Sequence, residues 1–185
     1  MIYIMTRNVF LYNGIKFLVF PREVVQISTW RGGSLKSDDV LIIDIKTELK
    51  ELFRELNFMT TPPVVFIFND DVGKIGSFLC SFPSYTIKNS ISTVEFCNYF
   101  LNESLTPDKP LVLSSQELNV LNLSINEACA RKNASRLGVP LKQFYQQRKT
   151  ICRKLGSDNI LRLMPYTKYL QYMILFYEEW NRRRA

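Results

Sequence analysis

The feature that most constrains the fold is an alternation, over residues 1–101, between short, mainly apolar runs and segments whose apolar residues recur at helical spacing. The apolar runs predict β-strands at Ile2–Thr6, Val24–Ser28, Val40–Ile45, Val64–Phe68 and Tyr85–Ile87. The helical spacing predicts helices at Val9–Phe20, Thr47–Leu56 and Thr93–Leu101. Because strands that alternate with helices form parallel sheets covered by those helices, we predict an α/β domain with a parallel sheet over residues 1–102.

The pattern changes at residues 103–112, where Pro107 and Pro110 stand among turn-forming residues. Closely spaced prolines stop a helix and favour an exposed connection, so we interpret this segment as a linker. Beyond it the spacing is helical throughout, and Ser114 followed by Glu117 is typical of a helix start. Later helices are predicted at Asn126–Leu137, Leu141–Leu155, Asp158–Met164 and Tyr166–Trp180. We therefore predict an all-α domain at residues 113–164, closed by Pro165, and an extra carboxyl-terminal helix within residues 165–185.

The charge of the chain is concentrated in its second part. Residues 1–106 contain 10 Lys and Arg against 11 Asp and Glu, whereas residues 107–185 contain 14 against 6. A cationic excess in one half indicates that this half meets a polyanion, although a solubilising surface would give the same excess. Charge alone does not decide between the two interpretations.

Composition excludes several functional classes. The chain has no histidine, which removes Ser-His and Cys-His catalysis, and it has no glycine-rich phosphate loop, so we do not expect an enzyme. No apolar stretch is long enough for a membrane span, and the amino terminus lacks the pattern of a signal peptide. We therefore expect a cytoplasmic, nucleoid-associated protein without a cofactor.

The cysteines lack Cys-x-x-Cys spacing and are interpreted as reduced, mostly buried thiols rather than a zinc site. They are Cys80, Cys97, Cys129 and Cys152.

A helix-turn-helix is predicted around Gly138, which supplies the positive φ that a sharp turn between two helices requires. The apolar positions of the second helix are Leu141, Phe144, Ile151 and Leu155. The polar and basic positions that we predict to bind DNA are Lys142, Tyr145, Gln146, Arg148, Lys149 and Arg153. Cations bind phosphates and Gln can form two hydrogen bonds with adenine, as a helix in the major groove requires. An ordinary helix with a solvated basic face would show the same pattern.

Residues 113–164 resemble the helix-turn-helix of LuxR/FixJ-type transcription regulators without a gap. The resemblance is carried by Leu113-Ser-Ser-Gln-Glu-Leu-Asn-Val-Leu-Asn-Leu123, Ala134-Ser-Arg-Leu-Gly-Val139 and Arg148-Lys-Thr-Ile-Cys-Arg-Lys-Leu-Gly156. It implies base and phosphate contacts at Tyr145, Gln146 and Lys149, and DNA-backbone contacts at Lys142 and Arg153.

Three residues of this segment depart from the family pattern. Glu127 stands where the family has glycine, Asn133 replaces a buried isoleucine, and Pro140 replaces a Ser or Thr cap. A buried Asn lowers stability unless it is hydrogen-bonded. These departures affect the expected path of the turn more than the fold.

Residues 1–101 resemble a response-regulator receiver that has lost its phosphorylation site. Asp44 ends the strand at the phosphoacceptor position, and Lys88 ends the strand that carries the family's lysine. The acidic pair that holds magnesium in the family is replaced by Thr6 and Arg7, so this pseudo-receiver should not support phosphoryl transfer. A strand-end carboxylate paired with Lys88 or with a helix terminus is the simpler interpretation of Asp44. The whole pattern is similar to enterobacterial acid-resistance activators and capsule co-regulators, which implies control without phosphate.

The last predicted helix carries an apolar aromatic stripe. Such a stripe either packs on its own chain or forms a subunit interface. The residues of the stripe that we consider for a dimer interface are Tyr169, Met173, Phe176, Tyr177 and Trp180.

Two functions remain open at this point. The first is a sequence-specific DNA-binding transcription regulator, an activator, that binds double-stranded DNA as a homodimer or as a heterodimer with a related response regulator. The second is a protein-interaction module that modulates another regulator without binding DNA.

Overall fold

The computed structural model of the chain describes residues 1–33, 35–47, 49–69, 74–75, 82, 84–88, 90–101, 106–109, 111–127 and 129–184. The strands are β1 (Ile2–Met5), β2 (Val24–Ile27), β3 (Val40–Asp44), β4 (Val64–Asn69) and β5 (Ser84–Lys88). The helices are α1 (Val9–Leu18), α2 (Lys50–Phe58), α3 (Thr93–Leu101), α4 (Ser115–Asn126), α5 (Ala130–Arg136), α6 (Leu141–Lys154) and α7 (Thr167–Arg184). A 3₁₀ helix, Ile160–Tyr166, leads directly into α7. Within the predicted linker, residues 103–105 and 110 lie outside the described residues.

The five strands form one parallel sheet in the order β2-β1-β3-β4-β5. In the register, Ile2 lies beside both Val24 and Val40, and Val65 lies beside Ser84. This is the order of doubly wound α/β domains, and it confirms the predicted α/β class. Where it is described, the connection between β2 and β3 has no helix, although parallel strands are usually joined by one.

The two faces of the sheet belong to two hydrophobic clusters, because successive side chains of a strand point to opposite sides. Ile4, Ile42 and Phe66 face α1 and α3. On the other face, Met5, Leu41, Ile43, Val65 and Ile67 join a larger cluster that contains α2 and most of the helical half. This second cluster links the two halves of the chain through one continuous core.

Aromatic contacts between α2 and α7 form the centre of this junction. The ring of Phe53 lies 5.6 Å from that of Tyr169 and 6.5 Å from that of Tyr172, both edge-on, and Phe58 lies 6.4 Å from Phe176. A backbone hydrogen bond also joins the linker to the sheet. The N–H of Asp108 donates to the Ser84 carbonyl at 2.8 Å, so the described part of the linker lies along β5, the edge strand.

Several predicted helix boundaries are wrong by a few residues. The start predicted at Thr47 is too early: its hydroxyl donates to the Asp44 carbonyl at 2.8 Å in a turn, and α2 begins at Lys50. Asn126 ends α4 instead of starting α5, because Glu127 is extended. Pro165 does not end a helix; it lies inside the 3₁₀ helix. There the N–H and hydroxyl of Thr167 both donate to the Met164 carbonyl.

Candidate nucleic-acid interface

The helix-turn-helix begins with a well-capped α4. The Ser114 hydroxyl accepts from the N–H of Glu117 at 3.2 Å, and the Glu117 carboxylate accepts from the N–H of Ser114 at 2.9 Å. This reciprocal pair is a capping box, which satisfies two backbone donors that a helix start leaves free. It confirms the helix start that the sequence predicts.

The residues that depart from the family pattern have clear roles between α4 and α5. Asn133 is 1% exposed, and its side-chain amide donates to the carbonyls of Leu123 at 3.1 Å and Glu127 at 3.0 Å. The Glu127 carbonyl, just beyond the end of α4, thereby gains a donor. The Leu123 carbonyl accepts from the N–H of Glu127 at 3.0 Å as well as from Asn133. The Glu127 carboxylate lies 2.6 Å from Arg136 and 3.5 Å from Lys132, two cations of α5. Polar contacts therefore fix the angle between these helices.

The turn between α5 and α6 depends on Gly138, whose φ is +65°. Its N–H donates to the Ser135 carbonyl and the N–H of Val139 donates to the Ala134 carbonyl, both at 3.1 Å. This pair of bonds is a Schellman motif, which requires a left-handed residue at the glycine position. Pro140 then precedes α6 without a side-chain cap. Its ring fixes φ, here −58°, at the entry to the helix, but it offers no oxygen to the first N–H groups of α6.

The orientation of α6 follows from its apolar positions and from its carboxyl end. Phe144, Ile151 and Leu155 are fully buried in the helical core. Gly156, with φ of +77°, ends the helix in a second Schellman motif. The ammonium of Lys154 donates to the Glu117 carboxylate at 2.6 Å and ties the end of α6 to the start of α4. The predicted apolar position Leu141 differs, since it is 36% exposed.

These contacts leave one face of α6 in solvent. The predicted DNA-contacting residues that are exposed together on it are Lys142, Tyr145, Gln146, Lys149 and Arg153. Arg148 is half-buried instead, because its guanidinium lies 4.8 Å above the Tyr145 ring and 6.0 Å from the Phe144 ring. In the part of the chain that the structure describes, no carboxylate forms an ion pair with Lys142 or Lys149. Two cations on this face are therefore free for a ligand anion.

Two titratable groups behind this face are shifted by their surroundings. Partial burial raises the pKa of Glu117, but hydrogen bonds from Lys154 and from the N–H of Ser114 outweigh it, so the pKa lies below its ordinary value of 4.5. Burial raises the pKa of the Cys152 thiol, which disfavours the reactive thiolate. Cys97 is half-buried and Cys129 is exposed, so the predicted burial is wrong for Cys129. Cys80 lies outside the described residues.

Asp44 ends β3 as predicted, and hydrogen bonds within the chain occupy its carboxylate. One oxygen accepts from the hydroxyl of the buried Thr6 at 2.9 Å, and the other accepts from the N–H of Lys46 at 3.1 Å. Lys88 ends β5 and is exposed. No ion pair joins Asp44 to Lys88, both of which the structure describes, so Lys88, one of the two partners considered from the sequence, is not the partner of Asp44.

The aromatic stripe of α7 faces the chain's own core. Tyr169, Met173 and Phe176 are buried, and Tyr177 is half-buried. The side chain of Trp180 lies outside the described residues. The sequence left open whether the stripe packs on its own chain or forms a subunit interface. In the structure, its buried residues pack on their own chain. Among the described residues, no helix combines the length and the apolarity that crossing a membrane requires.

Sequence reasoning missed two partners of the predicted residues. The hydroxyl of Thr6 binds Asp44, and Glu117 binds Lys154. The first was open to prediction, because Thr6 directly follows β1, the strand beside that of Asp44. The second pair is 37 positions apart in sequence, and no local pattern connects its members.

Comparison with known proteins identifies the fold. No family model matches the sequence, and no protein of curated function matches it. The chain is similar to the two-component response regulator RcsB in a DNA complex, with 14% identity and a TM-score of 0.55, over 89% of this chain and 96% of that one. A structure of two RcsB dimers on two parallel DNAs gives 16% identity and a TM-score of 0.50 over the same shares. Full-length FixJ from B. japonicum gives 12% and 0.39 over 95% and 97%. The RcsB similarity confirms the predicted fold of a receiver-like sheet followed by a helix-turn-helix.

Proposed function

We propose that the chain is a sequence-specific DNA-binding transcription regulator in which α6 enters the major groove. The observation that carries the proposal is the exposed face of α6, which combines the Gln146 amide with two lysines, Lys142 and Lys149, that have no carboxylate partner among the described residues. The second helix of a helix-turn-helix reads bases in this position. The similarity in fold to RcsB, whose structure was solved with DNA, supports the same conclusion.

The chemistry of each side chain on α6 suggests its role. Gln146 can form two hydrogen bonds with one adenine. Lys142, Lys149 and Arg153 bind phosphates, which position the protein without reading sequence. Arg148 supports the Tyr145 ring through a cation–π contact at 4.8 Å. This contact orders Tyr145 before DNA arrives, so less side-chain entropy is lost on binding.

Control of the regulator is proposed to be independent of phosphorylation. The hydrogen bonds of Thr6 and Lys46 already occupy the Asp44 carboxylate. A phosphoacceptor also needs carboxylates that hold magnesium, and Thr6 with Arg7 stands at that position.

We further propose an activator, active as a homodimer or with a related regulator. It comprises a pseudo-receiver at residues 1–102, a linker at 103–112, the helix-turn-helix at 113–164 and the last helix with a basic tail at 165–185.

Substitutions on α6 test the proposal. Gel-shift titration of the full chain against genomic DNA fragments should give retarded complexes. Lys149→Ala should weaken binding by a similar factor on all fragments, whereas Gln146→Ala should also reduce discrimination between fragments, by about 1–3 kcal/mol or about 5-fold to 150-fold. Lys36→Ala, an exposed lysine of the sheet half, is the matched control and should bind like the unmodified chain. Unchanged binding by both α6 variants would remove this helix from the interface.

The second candidate is a module that modulates another regulator without binding DNA. Three exposed phenylalanines near α1, Phe10, Phe17 and Phe20, favour a role in protein interaction. The same titration separates the two functions. A chain that retards no genomic fragment, yet co-purifies with another DNA-binding regulator, would support this alternative and contradict the first.

A further inference from the structure

Helix α1 carries apolar side chains on two opposite faces. Ile15 is buried against the sheet, as expected for an amphipathic helix. On the opposite side, Phe10, Phe17 and Phe20 are 89%, 83% and 82% exposed. Phe10 and Phe17 lie about two helical turns apart, and Phe17 shares a groove with Phe20, which follows the end of the helix. We call these three residues the phenylalanine face.

The area of the phenylalanine face matches what a specific contact needs. A phenylalanine can bury roughly 150–250 Å², so these three rings expose roughly 400–600 Å². The largest apolar patch on a typical monomer is about 300–600 Å² and is often functional. Two such faces brought together would bury about 1,000 Å², which is the lower limit for a specific interface.

We propose that the phenylalanine face binds a second copy of this chain, with the two α1 helices antiparallel about a twofold axis. Phe10 and Phe17 are equidistant in sequence from the Asn13–Gly14 peptide bond. An axis through that bond therefore sets Phe10 opposite Phe17 of the partner subunit, twice. A symmetric interface requires such self-complementarity, and a helix that bound an unrelated protein would not need it.

The centre and the edges of α1 fit the same arrangement. A Cβ added at Gly14 would meet nothing within 4 Å, so a ring of the partner can approach the backbone there. Lys16 falls opposite Leu11 of the partner subunit, which avoids contact between like charges.

This inference rests on the homodimer of the proposed function, and analytical ultracentrifugation of the full chain without DNA tests the interface separately from DNA binding by α6. The unmodified chain should dimerise, and Phe10→Lys and Phe17→Glu should each weaken dimerisation at least about tenfold. An equimolar mixture of the two variants should restore dimers, because the introduced lysine then faces the introduced glutamate and the remaining two rings face each other. Leu161→Glu, at a residue that is 74% exposed outside this face, is the control and should dimerise normally.

The outcomes are distinct. Because all these side chains are exposed, thermal unfolding should show that each variant folds like the unmodified chain. A monomeric unmodified chain would overturn the proposal, as would variants that dimerise normally; in the first case the face has another occupant, such as a different protein or a lipid surface. Failure of the mixture to restore dimers would overturn the antiparallel register. Since DNA is absent, a negative result here leaves DNA binding by α6 open, and loss of DNA binding leaves the dimer open.

Discussion

The carboxyl edge of the sheet and the exposed face of α6 hold their charges in opposite ways. At the sheet edge, both oxygens of Asp44 accept hydrogen bonds from the chain itself, from Thr6 and from Lys46. On α6, Lys142 and Lys149 have no carboxylate partner among the described residues. A carboxylate that already has its hydrogen bonds is stabilised in place, whereas exposed cations without partners are free for a polyanion.

This difference locates the function. The sheet half has a receiver-like fold, and the chain's own groups hydrogen-bond the Asp44 carboxylate. The helical half presents an open basic surface on α6. We infer that the sheet half acts as a support and as an assembly surface, and that the chemistry of recognition belongs to α6.

The largest expected effect is the loss of stability on removing the ring of Phe53, which lies between the two halves. Its fully buried ring contacts Tyr169 and Tyr172 of α7. Phe53→Ala should lower the free energy of unfolding by about 3–5 kcal/mol, because it leaves a cavity at the junction. Urea denaturation measures this value. Leu161→Ala, at an exposed residue, should stay within about 0.5 kcal/mol of the unmodified chain, and equal losses for both variants would contradict the shared core.

The next effect concerns the polar contact between α4 and α5. Asn133→Ala removes the donor to the carbonyls of Leu123 and Glu127, so the free energy of unfolding should fall by about 1–3 kcal/mol. Asn122→Ala is the control, because among the described residues the Asn122 side chain accepts a hydrogen bond only from the exposed Asn126. Its change in urea unfolding should be within about 0.5 kcal/mol. A fully stable Asn133→Ala would show that the buried amide has no structural role.

A smaller effect depends on pH. The pKa of folded Glu117 lies below its ordinary value, so the carboxylate stabilises the fold above that value and loses this contribution as the pH falls through the lowered pKa. The melting temperature of the unmodified chain should therefore fall more steeply than that of Glu117→Gln as the pH is lowered from about 6 to about 3. The same pH dependence of the melting temperature in both chains would contradict the coupling of Glu117 to Lys154.

The smallest expected effect is at Asp44. Asp44→Asn should change the DNA affinity by less than about twofold, which is roughly 0.4 kcal/mol. Treatment with acetyl phosphate and magnesium should likewise leave the DNA affinity of the unmodified chain as it was. If the treatment increases the DNA affinity and Asp44→Asn abolishes that increase, Asp44 still accepts phosphate.

The sequence predicted the sheet and α6 well because local patterns determine them. Most of the strands are mainly apolar runs, and α6 combines helical periodicity with Gly138 and Gly156, whose positive φ values match the two turns. In contrast, the hydrogen bonds of Asn133 join residues of α5 to the end of α4. Such contacts are set by tertiary packing, so periodicity cannot predict them.

The aromatic residues of α7 and α1 also show what sequence periodicity cannot predict. The sequence singled out the stripe of α7 as a possible dimer surface, yet Tyr169 and Met173 are buried inside the chain. It did not single out α1, where Phe10 and Phe17 are exposed. Periodicity finds an apolar face but does not identify which element covers it. The available signal at α1 was that apolar residues occur on both sides of the helix.

The salt dependence of DNA binding tests the central claim most directly. Fluorescence anisotropy with a short mixed-sequence DNA duplex gives the Kd of the full chain over a range of salt concentrations. The logarithm of the affinity should fall linearly with the logarithm of the salt concentration, and Lys149→Ala should reduce that slope by about one. No binding, or the same slope for the unmodified chain and Lys149→Ala, would contradict the assignment of α6 as the DNA-binding surface.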